Sequence, residues 1–267
     1  MTMKHTILLL TAILSGVLWT SCSREESSTQ WRLWYEQPAD EWMKALPVGN
    51  GRLGAMVYGG APDETIALNE ITFWTGYYDP EQDPVGGAEH QDEMRKLFFA
   101  GDYDRMHELA AKYMTGKAAK FGSHIPVGDM KLSFFHSDAI TDYCRDLVLA
   151  SALASVTYHV NDTLYKRELF CSNPADVMVM RITSNKRAAV GFALSFDFNK
   201  GANIKVEGNK IVFSGNTDTQ SDVKGGVAFC GMARVELTGG SCAADGDRLV
   251  VRGADEAVIY YDLNTDF

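Results

Sequence analysis

Basic residues are few beside acidic ones: 25 Lys and Arg stand against 35 Asp and Glu, for a net charge of −10. A field of that sign repels a polyanion, which argues against a nucleic-acid partner. Cysteine is sparse too, with five in the chain. None of Cys144, Cys171, Cys230 and Cys242 shows C-x-x-C spacing, and no His lies near enough to complete a zinc set. In an exported protein those four thiols permit two disulfides; buried free thiols on strands fit the spacing equally well. His90, His107, His124, His136 and His159 are scattered, and His107-Glu108 has no second ligand one helical turn on. There is no H-E-x-x-H, no P-loop and no G-x-S-x-G elbow. No metal and no cofactor is expected. Nor is there an apolar run of the roughly 20 residues that a membrane-spanning helix needs.

What the chain does have begins at its start. Lys4 and His5 precede an apolar stretch from Ile7 to Trp19, and Thr20-Ser21-Cys22 follows. A short basic start, an apolar core and small residues at its end describe a secretory signal. Small residues just before a Cys resemble a bacterial lipobox, so residues 1–21 are expected to be removed and Cys22 to carry the lipid. The alternative is cleavage elsewhere, with Cys22 an ordinary thiol. Arg24-Glu25-Glu26 resembles the tag that sends some outer-membrane lipoproteins to the cell surface. Residues 22–30, rich in Ser and Glu, read as a tether.

Residues 31–267 read as one mainly β domain, a large antiparallel sandwich. Short alternating runs recur, such as Val156, Tyr158 and Val160, then the Asn161-Asp162 turn, then Leu164 to Phe170. Further runs cover Leu53 to Tyr58, Thr65 to Trp74, Met130 to Phe135, Val177 to Ile182, Phe192 to Phe198, Val227 to Leu237 and Ala257 to Tyr261. One helical insertion interrupts them. Ala88 to Ala100 sets Met94, Leu97 and Phe98 on one face, Gly101 stops it, and Asp102 caps a second helix carrying Met106, Leu109, Ala110 and Tyr113. The pair is expected to form a hairpin packed on the sandwich.

Gly49-Asn50-Gly51-Arg52-Leu53-Gly54 spells a dinucleotide fingerprint, but Pro47 precedes it and an apolar strand, not a helix, follows. A tight turn feeding a strand is the better reading. In Leu68 to Gly76, strict alternation places Leu68, Glu70, Thr72 and Trp74 on one face. A Glu and a Trp projecting together can hold a sugar, the ring stacking on the indole while the carboxylate takes hydroxyl hydrogen bonds. The competing reading pairs Glu70 with Arg52 or a backbone turn and seats Trp74 in an interface.

Three blocks, in order, resemble glycoside hydrolase family 95, the α-L-fucosidase family. The first is Trp34 to Ala39, Trp42 and Ala45 to Gly60; the second is Leu68-Asn69-Glu70 with Phe73 to Gly76. The third is Pro126 to Met130 with Tyr143 and Arg145 to Leu147, followed by Tyr158, Tyr165 to Glu168 and Phe170 to Ser172. The resemblance implies a β-supersandwich that complete members follow with a helical linker and an (α/α)6 barrel. They hydrolyse terminal α-L-fucosides with inversion, using a Glu as general acid and Asn side chains, supported by an Asp, to activate water. All those groups belong to the barrel, so no catalytic residue is assigned in this chain. Asn50, Arg52, Glu70 and Trp74 stand as candidates for a cleft rim or an interdomain interface. The expected role is an accessory domain of an exported fucosidase, cut off before its barrel. The alternatives are a stand-alone glycan-binding lipoprotein and a platform for a separately encoded barrel. Expected partners are accordingly fucosylated glycans or the barrel, with the membrane reached through the lipid.

Overall fold

The computed structural model describes residues 31–76, 85–116, 122–136, 139–217 and 226–267. The signal segment, Cys22 and the whole tether of residues 22–30 lie outside them. A compact unit spans Arg32–Phe267.

Among the described residues, two antiparallel sheets carry the chain. The larger runs in the order β1 (Arg32–Tyr35), β6 (Ile140–Val148), β7 (Leu153–Val160), β8 (Thr163–Ser172), β9 (Val177–Ser184), β16 (Glu256–Thr265), β13 (Ala228–Thr238), β12 (Lys210–Asn216) and β11 (Ala202–Glu207). The smaller runs β14 (Ser241–Asp245), β15 (Arg248–Ala254), β10 (Val190–Phe198), β5 (Gly128–Phe134), β4 (Asp63–Glu70), β3 (Leu53–Val57) and β2 (Leu46–Gly49). Period-two alternation sends Ala154, Val156, Tyr158 and Val160 of β7 inward, and likewise Ala257, Ile259, Tyr261 and Leu263 of β16. They meet Ile66, Leu68, Phe192, Leu194 and Phe196 from the facing sheet in one core. Phe196 lies 5.3 Å from Phe213 and 5.9 Å from Tyr261, ring centre to ring centre. Each such side chain contributes about 1.5–3 kcal/mol by leaving water.

Two strands escape a simple reading of apolar runs. β6 points Tyr143, Arg145 and Leu147 inward, so its core face looks polar. β14 is an almost fully exposed edge strand.

Charge is also buried between the sheets. Glu64 and Arg167 approach within 3.3 Å, both almost fully enclosed. Glu64 Oε1 accepts from the Gly59 and Thr65 N–H groups at 2.8 and 3.1 Å, and Arg167 Nη2 donates to the Gly60 carbonyl at 2.8 Å. The Arg167 Nε and Nη1 have no hydrogen-bond partner among the described residues. The guanidinium instead lies over the Phe134 and Tyr158 rings, at 4.9 and 5.4 Å. Tyr143 and Arg145 add bonds to the Gly59, Gln37 and Lys44 carbonyls. Strands of the larger sheet thus grip the turn between β3 and β4 of the smaller.

The helical insertion comprises α1 (Gly87–Ala100) and α2 (Tyr103–Tyr113). Gly101 at φ 77° donates to the Leu97 and Phe98 carbonyls, and Asp102 caps α2 by accepting from the Arg105 N–H at 3.4 Å. His90 stacks on Tyr113 at 3.8 Å across the pair. The expectation that this hairpin packs on the sandwich needs correcting. The helices contact each other far more than they contact the strands, and Met94 is their one buried residue. Their apolar faces meet around Met94, Met106 and Ala110, leaving Phe99 turned to solvent.

Cys144, Cys171, Cys230 and Cys242 are all free thiols, and burial pushes the Cys171 thiol up to about 11.

Candidate functional site

Asn50 and Arg52 sit on the hairpin joining β2 to β3, where Gly51 takes φ 99°. Asn50 Oδ1 accepts from the Arg52 and Leu53 N–H groups at 3.0 and 2.8 Å, which closes the turn. Its Nδ2 reaches the opposite sheet, donating to the Ser172 carbonyl at 3.0 Å and to Asp176 Oδ1 at 2.9 Å. Arg52 does the same with more bonds. Nε donates to Asp176 Oδ2 at 2.6 Å, Nη2 to Asp262 Oδ1 at 2.5 Å and Nη1 to the Leu263 carbonyl at 2.5 Å. Burial opposes the Arg52 charge, but the bonds to Asp262 and Asp176 outweigh it and raise its pKa. Glu70 Oε1 lies 3.8 Å from the same guanidinium. Asn50, Arg52 and Glu70 therefore belong to one latch fastening the smaller sheet to the turn after β8 and the end of β16.

The alternation expected through Trp74 stops at Glu70, because β4 ends there and a turn follows. Glu70 is 2% exposed, and its Oε2 accepts from the Thr72 N–H at 2.7 Å and the Thr72 hydroxyl at 2.6 Å. A carboxylate so enclosed does not project beside Trp74 to meet a sugar, which corrects that expectation. Trp74 forms an isolated bridge with His124, its ring edge-on to the imidazole at 5.5 Å. Its Nε1 donates to the Ile71 carbonyl at 3.0 Å, and its own carbonyl accepts from the Thr217 hydroxyl at 2.5 Å.

A second feature lies on the outer face of the smaller sheet. A cleft of about 460 Å3 opens over β2 to β5. Register sets Pro47 opposite Met56, Met56 opposite Ala67 and Ala67 opposite Asp129, with Gly54 opposite Asn69 in the neighbouring row. Gly54 and Ala67 keep the floor low. Trp42, on a short 3-10 turn at Trp42–Lys44, is 53% exposed and walls one side; Asn199 stands on the rim. Asp129 pairs with Lys131 at 2.9 Å, and Asn199 Nδ2 donates to the Pro126 carbonyl at 2.8 Å. The Asn69 amide has no hydrogen-bond partner among the described residues.

Sequence reasoning did not single out Trp42, Asn69, Asp129 or Asn199 as site residues. Trp42, Asn69 and Asp129 stand in the three blocks that carried the family resemblance, and those blocks converge on this cleft. Asn199 had no comparable signal. Among the described residues, no three His, Cys, Asp or Glu side chains gather as a metal site would require.

Residues 33–267 match the family model described as "Glycosyl hydrolase family 65, N-terminal domain". The chain is similar to "Alpha-L-fucosidase 2" of Arabidopsis thaliana, 29% identical over 269 aligned positions that cover 91% of this chain and 31% of that protein. It is similar to "Probable alpha-fucosidase A" of Aspergillus niger at 29% identity, over 69% of this chain and 24% of that protein. A solved structure named "Putative kojibiose phosphorylase from human microbiome" aligns at a TM-score of 0.47 and 11% identity, over 88% of this chain and 32% of that one. The chain spans less than a third of the length of these curated relatives.

Proposed function

Because this chain belongs to the family of glycosyl hydrolase family 65 N-terminal domains, we propose that it is the accessory β-domain of an exported enzyme that removes terminal α-L-fucose from glycans, of the family 95 type. The observation that carries this reading is the similarity to "Alpha-L-fucosidase 2", which runs through 91% of the chain.

The disposition of the carboxylates supports placing the chemistry elsewhere. Glycoside hydrolysis needs two carboxyl groups flanking the scissile bond, about 5–9.5 Å apart and open to substrate. Here Glu64 and Glu70 are enclosed between the sheets, Asp176 and Asp262 are tied to Arg52, and Asp129 in the open cleft is paired with Lys131. The catalytic acid and the water-activating groups are accordingly assigned to a helical barrel partner, and the sandwich supports it.

Reading the coding DNA beyond codon 267 and expressing what it encodes tests this. The expected result is a barrel, in frame or encoded alongside. Barrel and sandwich together, but not this chain alone, release nitrophenol from 4-nitrophenyl α-L-fucopyranoside. Turnover by this chain alone, or no barrel nearby, overturns the reading. Attachment to the outer membrane through Cys22 belongs to the same proposal. Labelled palmitate should be incorporated by the native chain and not by Cys22→Ala; equal labelling of both would remove the anchor.

A further inference from the structure

We propose that the cleft on the outer face of the smaller sheet, between Trp42 and the Asn69–Asp129 diagonal, binds a neutral pyranose ring. The cleft lies within the roughly 300–1,000 Å3 range of small-molecule sites. Its lining is divided by chemistry. The half-exposed Trp42 indole and Met56 are apolar, while Asn69, Asp129 and Asn199 supply donors and acceptors. Asn69 and Asp129 are diagonal cross-strand neighbours, a spacing of about 7–8 Å with the Cβ atoms somewhat closer, which lets the two side chains meet adjacent hydroxyls of one ring.

A pyranose answers this division, with a C–H face for the indole and a rim of hydroxyls for the amide and the carboxylate. Other ligand classes fit less well. A purely apolar ligand would strip water from the Asn69 amide and return no hydrogen bond. An anion would find no Lys, Arg or His among the lining residues and would meet the Asp129 carboxylate instead. The register also keeps the Asn69 amide accessible, because its cross-strand partner is Gly54. A Cβ at Gly54 would meet only the Asn69 Cβ at 3.7 Å and the Val48 carbonyl at 3.9 Å, so the space there is open. This saccharide site stands whether or not the chain works beside a fucosidase barrel.

The test is titration of the purified chain, labelled with 15N, with L-fucose, D-galactose and 2′-fucosyllactose. The expected result is saturable shifts of the Trp42 indole N–H and the Asn69 side-chain amide with at least one of these sugars. Trp42→Ala should weaken binding about tenfold by removing the stacking face. Gly54→Val, which fills the floor without removing any polar group, should weaken it as much. Thermal melting of the same samples separates lost binding from lost fold; if one variant unfolds, the other and the shift map decide. No saturation by any of the three sugars, or shifts centred away from Trp42 and Asn69, overturns the proposal.

Discussion

The Arg52 latch and the Trp42 cleft are built on the same three strands, β2 to β4, yet Arg52 in the first and Asn69 in the second have opposite fates. In the latch, Asn50, Arg52 and Glu70 are bonded to Asp176, Asp262, Thr72 and the backbone. In the cleft, the Asn69 side chain has no hydrogen-bond partner among the described residues and the Trp42 ring is half exposed. Strand alternation and the family blocks pointed to the first group, as candidates for a cleft rim or an interdomain interface. The difference is partnership: a polar side chain already satisfied by the fold stabilises the fold, and one left open is available to a ligand.

The largest effect should come from the driest polar centre, the extreme case of the latch pattern. Arg167→Met leaves the Glu64 charge buried without its counter-ion or forces its protonation, and should cost about 3–5 kcal/mol in urea unfolding. Adding Glu64→Gln should recover much of that loss. Equal stability of the single and double variants would contradict an uncompensated buried charge at Glu64. Next is the latch itself. Arg52→Ala removes charge-assisted bonds across the sheets in a partly exposed setting, for an expected loss of about 1–3 kcal/mol by the same measurement.

A smaller, pH-dependent effect separates the dry centre from the latch. Burial raises the Glu64 carboxyl above its ordinary value, although Arg167 and the Gly59 and Thr65 N–H groups act the other way. The folded chain then holds that proton more tightly than the unfolded chain does. The stability tied to Glu64 is full below the unfolded carboxyl range and is lost as pH rises through the raised value. Glu64→Gln should remove that decline from a plot of unfolding free energy against pH; parallel curves for the two proteins would contradict the assignment. Smallest of all, Asn69→Ala should leave stability within about 0.5 kcal/mol, because no group among the described residues loses a side-chain bond.

How much of this was legible in the chain follows the same division. β7, β8 and β16 alternate cleanly, and Gly101-Asp102 marks the break between α1 and α2, so these elements follow from local chemistry. β6 was hidden because Tyr143 and Arg145 occupy core-facing positions where apolar residues are expected. Glu70 misled for the same reason: an inward carboxylate satisfied by the turn after it looks, in one dimension, like an outward one. The cleft is a product of register. That Gly54 faces Asn69 and Ala67 faces Asp129 is a fact of strand pairing across nonadjacent stretches, and Asn199 arrives on the rim from beyond β10. Hydrophobic patterning does not encode such neighbours.

The most direct test of this division is a titration of Arg52→Ala with whichever sugar saturates the native chain. If the latch only fastens the sheets and the cleft alone meets ligand, the variant should unfold at lower urea yet bind with a Kd within about twofold of the native chain, since the two centres share no partner. Loss of binding by a folded Arg52→Ala chain, with the Trp42 and Asn69 signals unmoved, would place the ligand at the latch and contradict the account.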